Sequence, residues 1–294
     1  MIKTLKKIAK KSGIDTRALY QLASVLSLRA AIREQGLTSF VDRMRDIVPD
    51  LRDQYSLTGF DDTEYRRYWE TKMRGQHAWQ VHCVERAIDK LGSSEKGLVI
   101  ADIGDSSGNH GKFIKSLLKP GNIKEVISVN IDPEAVKKIK AKGGQAILCH
   151  AEELPEHDVQ PDLFISFETV EHLIDPVRFL RSLAKIESCN HLLMTVPYRR
   201  ISRFGGDHLR TSIDQMPKQM TAEEVHIFEL CPQDWIYLAR FAGYRLVFKD
   251  IYYQYPKYGI MRIMEPLWRR LDFEGFLALM LVRDPTVEQR YTSW

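Results

Sequence analysis

The chain has 294 residues, of which 44% are hydrophobic and 28% are charged, as in an ordinary soluble globular protein. Its net charge of +4 arises at the N-terminus, because residues 1–20 carry +5 and the rest of the chain carries −1, so no basic surface favours nucleic acid. No run of about 18 apolar residues could span a bilayer and no secretory signal begins the chain, so we expect a cytoplasmic protein.

The N-terminal section, residues 1–92, has helical apolar spacing and is predicted to be a helical extension packed on the main domain. Residues 1–11 place apolar side chains among five lysines, which fits either a weak contact with an acidic membrane surface or a solvated helix. Leu19, Leu22 and Leu26 recur at helical spacing until Gly36. Helices are predicted over residues 15–34, 39–48 and 63–91.

After Gly97 the pattern changes to alternating strands and helices, which indicates a parallel sheet covered on both faces. We predict strands at 98–103, 125–130, 145–149, 162–167, 191–196, 244–253 and 275–283. Helices are predicted at 109–118, 133–141, 176–186 and 232–242. The main domain is expected to cover residues 93–285 with a helical insert at about 256–272, and residues 286–294 form a tail.

The segment "IADIGDSSGNHG", residues 100–111, ends the first strand in a glycine turn. A dinucleotide fingerprint and a phosphate-binding loop both require glycine where the chain has Ser106, and the latter also requires serine or threonine at Phe113. Asp102 beside Gly104 and Gly108 instead suits a ligand with a cationic amine, such as S-adenosylmethionine. The alternative is an ordinary glycine-rich turn between a strand and a helix.

Five consecutive segments resemble class I S-adenosylmethionine-dependent methyltransferases of the type-11 and type-23 domain group. These segments are "IADIGDSSG", "VISVNIDPEAV", "CHAEELP", "PDLFISFETVEHLIDP" and "HIFELCPQDWIYLARFAGYRLV". The resemblance implies a Rossmann-like α/β fold: a seven-stranded, mostly parallel sheet with one antiparallel strand and helices on both faces. It also implies that S-adenosylmethionine lies across the carboxyl ends of the first strands.

The resemblance further implies roles for individual residues in holding this cofactor. Asp102 and Gly104 would approach its methionine part, Asn130 its ribose, with Asp132 as a substitute, and His150 its adenine. Other implied cofactor-binding residues are Asp105, Ser106, Gly108, Ile131, Ala151, Glu152 and Phe167. The chain departs from the family where Ser106 replaces a glycine and where Asn130 and His150 replace acids.

Residues after the fourth strand and in the long connection 195–230 are the candidates for chemistry. His172 is the first candidate for a general base, and its alternative role is to tie its helix to the sheet through a backbone bond. Glu168 would bind cofactor or acceptor, or cap a helix. In the connection, His208 and His226 are alternative bases, and the arginines would either contact an anionic acceptor or form a solvated surface.

The predicted function is therefore in-line transfer of a methyl group to a hydroxyl of a small or carbohydrate-like acceptor. No metal is expected, since no spacing of histidine, cysteine and acidic residues demands one, and the four dispersed cysteines lack a CxxC pair. The chain lacks the Asn/Asp-Pro-Pro-Tyr motif that would favour methylation of a nucleobase or an amide. The alternative is a non-catalytic binding module of the same fold, peripheral to a membrane through residues 1–11.

Overall fold

The computed structural model describes residues 16–54, 65–92, 96–205, 210–220 and 225–291, so the lysine-rich residues 1–11 lie outside the described residues. The chain divides into two units, which are described separately. The first contains the described parts of 1–53, 57–78 and 253–274, and the second contains Gln54 and the described parts of 79–252 and 275–294. Among the described helices, none has the length and apolar character needed to cross a membrane.

The first unit is helical, as its sequence predicts. Its helices are α1 (Thr16–Glu34), α2 (Thr38–Ile47), a π-helical turn (Tyr65–Trp69) that leads into α3 (Glu70–Leu91), and α8 (Glu265–Arg270). Its core contains the buried residues Val25, Leu28, Tyr68, Tyr255, Trp268 and Phe273.

The buried face of α1 differs from the face that the leucine spacing marks. Leu19, Leu22 and Leu26 are each more than half exposed, whereas Ser24 and Ser27 are fully buried. Small side chains allow neighbouring backbone to approach closely, so the helix packs through its serine-containing face. The predicted helix is confirmed, and its leucines lie mainly on its exposed side.

The end of α1 holds the segment that follows residue 252. The side-chain amide of Gln35 donates to the carbonyl oxygen of Tyr253 at 2.9 Å and accepts from the backbone nitrogen of the same residue at 3.2 Å. The Glu34 carboxylate accepts from the backbone nitrogens of Lys257 and Tyr258 at 2.8 and 3.1 Å. These bonds satisfy main-chain polar groups of Tyr253, Lys257 and Tyr258.

The second unit is built on a seven-stranded sheet whose strand order is β3-β2-β1-β4-β5-β9-β8. Its strands are β1 (Leu98–Ile103), β2 (Ile123–Asn130), β3 (Gln145–Leu148), β4 (Leu163–Phe167), β5 (His191–Pro197), β8 (Tyr244–Tyr253) and β9 (Gly275–Arg283). Strands β1 to β5 pair in parallel, and β9 runs antiparallel to β5. The Rossmann-like fold with one reversed strand is confirmed.

Helices cover both faces of this sheet. They are α4 (Asn109–Leu117), α5 (Pro133–Ala141), α6 (Pro176–Ala184), α7 (Pro232–Phe241) and the later part of α3. Leu180 of α6 and Trp235 of α7 are fully buried in the core that contains Met194 of β5. On the opposite face the Gln80 side chain of α3 donates to the Thr195 hydroxyl at 3.1 Å. Since successive strand residues face opposite sides, this alternation shows that both faces are covered.

The connection after β5 contains a second, two-stranded antiparallel sheet. Its strands are β6 (Arg203–Phe204) and β7 (Phe228–Glu229). Just before β7, the backbone nitrogen of Ile227 donates to the carbonyl oxygen of Glu171 at 2.8 Å. This bond places the second half of the connection beside the chain that leaves β4.

Candidate functional site

The carboxyl ends of β1, β2 and β4 lie at one edge of the sheet, and a glycine allows two of them to meet. Gly104 follows β1 with φ of +89°, and a Cβ built on it would lie 2.4 Å from Oγ1 of Thr169, which follows β4. No other residue fits this backbone conformation and this separation. The glycine turn and the chain leaving β4 are therefore in direct contact.

Asp105 organises the turn from inside. One carboxylate oxygen accepts from the backbone nitrogens of Ser107 and Gly108 at 3.0 and 2.9 Å, and the other accepts from the Ser128 hydroxyl at 2.6 Å. The Asn130 amide donates to the Asp105 carbonyl oxygen at 2.9 Å. The buried carboxylate is satisfied by neutral donors, and it ties the turn to β2.

Gln54 closes the other side of the turn. Its side-chain oxygen accepts from the Ser107 hydroxyl at 3.1 Å and from the Asn109 amide at 2.8 Å, and its backbone oxygen accepts from the Ser106 hydroxyl at 2.6 Å. Gln54 is itself buried. Ser106, the departure from a glycine, is thus used to bind this residue.

Asp102 and His110 form a buried pair beneath the turn. Oδ2 of Asp102 and Nδ1 of His110 are 3.0 Å apart, while Oδ1 of Asp102 has no hydrogen-bond partner among the described residues. Burial raises the pKa of Asp102 to about 6. Burial disfavours the imidazolium of His110, but the adjacent Asp102 outweighs it and raises the pKa of His110. The pair therefore retains protons that the unfolded chain would lose.

A cluster of acids and imidazoles lies at the end of β4. The His172 Nδ1–H donates to the carbonyl oxygen of Val225 at 2.9 Å, because a carbonyl can only accept. The Nε2 atom of His172 lies 3.9 Å from Oε1 of Glu171. The rings of His172 and His226 meet edge to face, with centroids 4.8 Å apart. The connection thus brings a histidine 54 positions later in the sequence next to His172.

Glu229 binds the cationic side of this cluster. Its nearly buried carboxylate accepts from Arg199 at 2.7 Å, from His226 Nδ1 at 3.1 Å, and from Arg203. Burial opposes ionisation, but the bonds from His226, Arg203 and Arg199 outweigh it and hold the pKa of Glu229 well below its usual range. Glu229 is therefore ionised.

Glu171 is in the opposite situation. Its side chain is fully buried, and neither carboxyl oxygen has a hydrogen-bond partner among the described residues. Burial, together with the nearby Glu168 carboxylate, raises the pKa of Glu171 well above its usual value. Glu168, three residues before Glu171, has φ of +51°, a conformation that costs energy for a residue with a side chain. Strain and an unpaired buried carboxyl both mark this segment.

Comparison with known proteins agrees with this geometry. Residues 103–187, which run from the end of β1 to just beyond α6, match the family model of the methyltransferase domain. This part of the chain therefore resembles a methyltransferase domain. The match includes the glycine turn and the segment with Glu171 and His172, whereas Gln54, Asp102, His226 and Glu229 lie outside it.

A relative from Mycobacterium tuberculosis, described as a probable S-adenosylmethionine-dependent methyltransferase, is 32% identical over 81 residues. The similarity covers 27% of this chain, and it spans 30% of the length of that relative.

Solved methyltransferases are similar at lower identity. The magnesium protoporphyrin IX methyltransferase of Synechocystis, at 14% identity and a TM-score of 0.48, matches over 84% of this chain and 92% of its own. The 1,6-didemethyltoxoflavin-N1-methyltransferase of Burkholderia thailandensis has 14% identity and a TM-score of 0.46, and the match covers 79% of this chain and 94% of its own.

The structure places the predicted cofactor-binding residues along one edge of the sheet. Asp105, Ser106 and Gly108 form the turn described above, and Asn130 ends β2. Ile131 follows it and is 65% exposed, an unusual position for a large apolar side chain. Asp132 caps α5 by accepting from the backbone nitrogen of Glu134 at 3.0 Å.

The remaining predicted cofactor residues flank this edge. His150, Ala151 and Glu152 lie where the chain leaves β3 and enters a short 3₁₀ helix, Ala151–His157. The His150 backbone nitrogen donates to the Glu153 carboxylate at 3.1 Å. Phe167 is buried, with its ring edge-to-face against His110. The cofactor contacts of these residues therefore remain predictions.

Of the predicted catalytic residues, the structure brings His172 and Glu168 to the end of β4, and His208 lies outside the described residues. The backbone bond of His172, weighed above as an alternative role, is present and leaves Nε2 as the basic nitrogen. Arg199 and Arg203, predicted either to contact an anionic acceptor or to form a solvated surface, both bind Glu229.

Sequence reasoning missed Gln54, which it assigned to the helical extension, and Glu229. No local signal marks either residue, since each acts through tertiary contacts. A cavity of about 820 Å³ also escaped prediction. Val99, Lys124 and Gln145 line it near the amino ends of their strands, so it lies away from the edge that holds the glycine turn. We assign the site from the side chains at the carboxyl ends and not from this cavity.

We expect Gly104→Ala to destabilise the second unit by about 1–3 kcal/mol, because a Cβ at positive φ would also overlap Thr169. Gly121→Ala is the matched control, since Gly121 has φ of +88° but no neighbouring atom within 4 Å of its Cβ position. Denaturant unfolding of both variants separates backbone strain from overlap. Equal losses in the two variants would contradict the close contact.

The Asp102–His110 pair predicts a pH dependence of stability. Both pKa values are raised on folding, so the folded state holds more protons and its stability falls as pH rises. For Asp102 this loss extends from about pH 4 to about pH 6. Asp102→Asn should remove it, on the order of 2–3 kcal/mol. Unfolding free energies measured from pH 4 to 7 test this, with the exposed Asp46→Asn as control; an unchanged slope would contradict it.

Proposed function

We propose that this chain is an S-adenosylmethionine-dependent methyltransferase that transfers the methyl group to an oxygen of a small or carbohydrate-like acceptor. The contact between Gly104 and Thr169 is the observation that carries this proposal. It puts the glycine turn of the methyltransferase domain directly beside the histidines and acids that follow β4. A donor on the turn and an acceptor over the cluster would then be neighbours, and alignment of two reactants provides most of the rate in such a displacement.

The residues at the turn fit this cofactor. Asp102 has a buried carboxyl oxygen that lacks a hydrogen-bond partner among the described residues and suits an ammonium group. Asn130 offers an amide oxygen at the end of β2, where it already accepts from the backbone nitrogen of Asp132 at 2.8 Å and retains a second lone pair for a ribose hydroxyl. The exposed Ile131 next to it supplies an apolar surface for adenine. None of these three contacts requires a phosphate group on the ligand.

The chemistry at the cluster follows from the tautomer of His172. With the proton on Nδ1, Nε2 can accept the proton of an acceptor hydroxyl. The acceptor oxygen forms a bond to the methyl carbon while the carbon–sulfur bond breaks, and that electron pair stays on sulfur to leave a neutral thioether. Base assistance of this kind contributes about 10²–10⁴ in rate.

The nature of the acceptor rests on fewer observations. Arg199 and Arg203 bind Glu229, and the side chains of Arg200 and Arg210 in the same connection are exposed to solvent. These two exposed guanidinium groups support an acceptor that carries a phosphate or carboxylate. The absence of an Asn/Asp-Pro-Pro-Tyr motif supports an oxygen over a base or amide nitrogen.

Calorimetry with S-adenosylmethionine and S-adenosylhomocysteine tests the cofactor. We expect stoichiometric binding to the wild-type protein and roughly tenfold weaker binding to Ile131→Ser, because the exposed side chain would lose apolar contact with adenine. Ile263→Ser, which alters an exposed isoleucine of the insert, is the control and should bind like the wild type. Absence of binding to the folded wild-type protein would contradict the proposal and favour a non-catalytic binding module.

A further inference from the structure

We propose that Glu171, His172 and His226 bind one divalent transition-metal ion. Their candidate ligand atoms, one from each side chain, all lie within 4.8 Å of one another. In a tetrahedral site with bonds of about 2.0–2.1 Å, ligand atoms are about 3.3 Å apart. The 3.9 Å between Nε2 of His172 and Oε1 of Glu171 therefore needs to shorten by less than 1 Å. Side-chain rotation can supply this change.

Both histidines are held as metal-binding histidines usually are. A coordinating imidazole generally donates its second ring N–H to a backbone carbonyl or a carboxylate, which fixes its tautomer and orientation. His172 donates Nδ1–H to the carbonyl oxygen of Val225, and His226 uses Nδ1 to bind the ionised Glu229. In each ring, Nε2 is then the nitrogen that carries the coordinating lone pair.

Glu171 supplies an independent observation. Its carboxyl group is fully buried and both oxygens lack hydrogen-bond partners among the described residues, although buried carboxylates are normally paired or bound to metals. The arginines that could neutralise it, Arg199 and Arg203, are directed to Glu229. A cation between Glu171 and the two imidazoles would compensate this group.

The ligand set indicates the class of ion. Two imidazoles with one carboxylate suit zinc, cobalt, iron or manganese, whereas magnesium and calcium prefer oxygen ligands throughout. Three protein ligands also leave a position for a further ligand, as in catalytic metal sites. Among the described residues, Asp102, Asp105 and His110 form a second buried group of this type, but it has one imidazole where the first has two. Its Asp105 already accepts hydrogen bonds from the turn, and Nδ1 of His110 is bound to Oδ2 of Asp102.

The open position suggests a role in catalysis, which rests on the proposed function. An acceptor hydroxyl bound there would lose its proton more readily to solvent water, since a metal ion lowers the pKa of a coordinated hydroxyl. Its oxygen would then attack the methyl carbon as the carbon–sulfur bond breaks and the electron pair remains on sulfur. His172 would in that case act as a ligand and not as a base.

Cobalt binding tests the site without cofactor or acceptor. The full chain without a polyhistidine tag, stripped with chelator, is titrated with Co²⁺ and followed by visible absorption and by calorimetry. We expect one ion per chain, with d–d bands that show nitrogen and oxygen ligands. Glu171→Gln and His226→Asn should each weaken binding by at least about 10–100-fold, the loss that even outer-shell changes cause.

The controls separate a lost ligand from lost structure. His191→Asn alters a histidine at the amino end of β5 and should bind Co²⁺ like the wild type. Glu171→Gln keeps the shape of the side chain and removes a buried carboxyl, so its thermal unfolding without metal should be unchanged or occur at higher temperature. Circular dichroism of each stripped variant verifies folding.

Absence of a stoichiometric Co²⁺ site in the wild-type protein would overturn the proposal, as would equal binding by folded Glu171→Gln or equal loss in His191→Asn. These outcomes are independent of S-adenosylmethionine binding. Failure of the metal site would leave the proposed transfer with His172 as base, and failure of cofactor binding would leave the metal site intact.

Discussion

The contact between Gly104 and Thr169 is the constraint on which the rest of the site depends. Parallel strands deliver their carboxyl ends to the same edge, but side chains normally keep the following loops apart. Here a residue without Cβ lets the loop after β1 touch the loop after β4. The turn that we propose binds the methyl donor therefore lies beside the cluster that we propose for proton transfer or metal binding.

Besides Asp102, the site buries three carboxyl groups, and they differ in how the energetic cost of burial is offset. Asp105 is satisfied by backbone and hydroxyl donors, so it builds the turn. Glu229 is satisfied by two guanidinium groups and an imidazole, so it builds the connection after β5. Neither oxygen of the Glu171 carboxyl group has a hydrogen-bond partner within the described chain. A buried carboxyl group without hydrogen bonds lowers stability, so we explain it by the proposed function and not by a structural role.

The connection after β5 gives this cluster its composition. The main-chain bond from Ile227 to Glu171 and the side-chain bond from His172 to Val225 fasten residues 225–227 to the loop after β4. Glu229 in turn forms ion pairs with Arg199 and Arg203, which lie near the start of the connection. Arg199 and Arg203 thus hold the carboxylate that orients His226, and less of their charge remains for an anionic acceptor.

The sequence by itself determined the secondary structure and fold class of this protein. Strand and helix periods, glycine stops and proline starts mark almost every element of the sheet unit, because these signals are local and depend on backbone sterics. The glycine turn and the Glu-His pair after β4 are also readable, since each lies within one short segment. The buried face of α1 was not readable, because its leucines and its serines both follow helical spacing.

Only the tertiary structure decided which distant side chains meet. Gln54 joins the turn from 52 positions before Ser106, and His226 joins His172 from 54 positions after it. Such pairings depend on how loops pack once the sheet has formed, and no periodic signal in the sequence encodes them. Linear spacing argued against a metal, whereas the folded chain assembles two imidazoles and an unpaired carboxyl, because ligand sets are defined by distance in space and not along the chain.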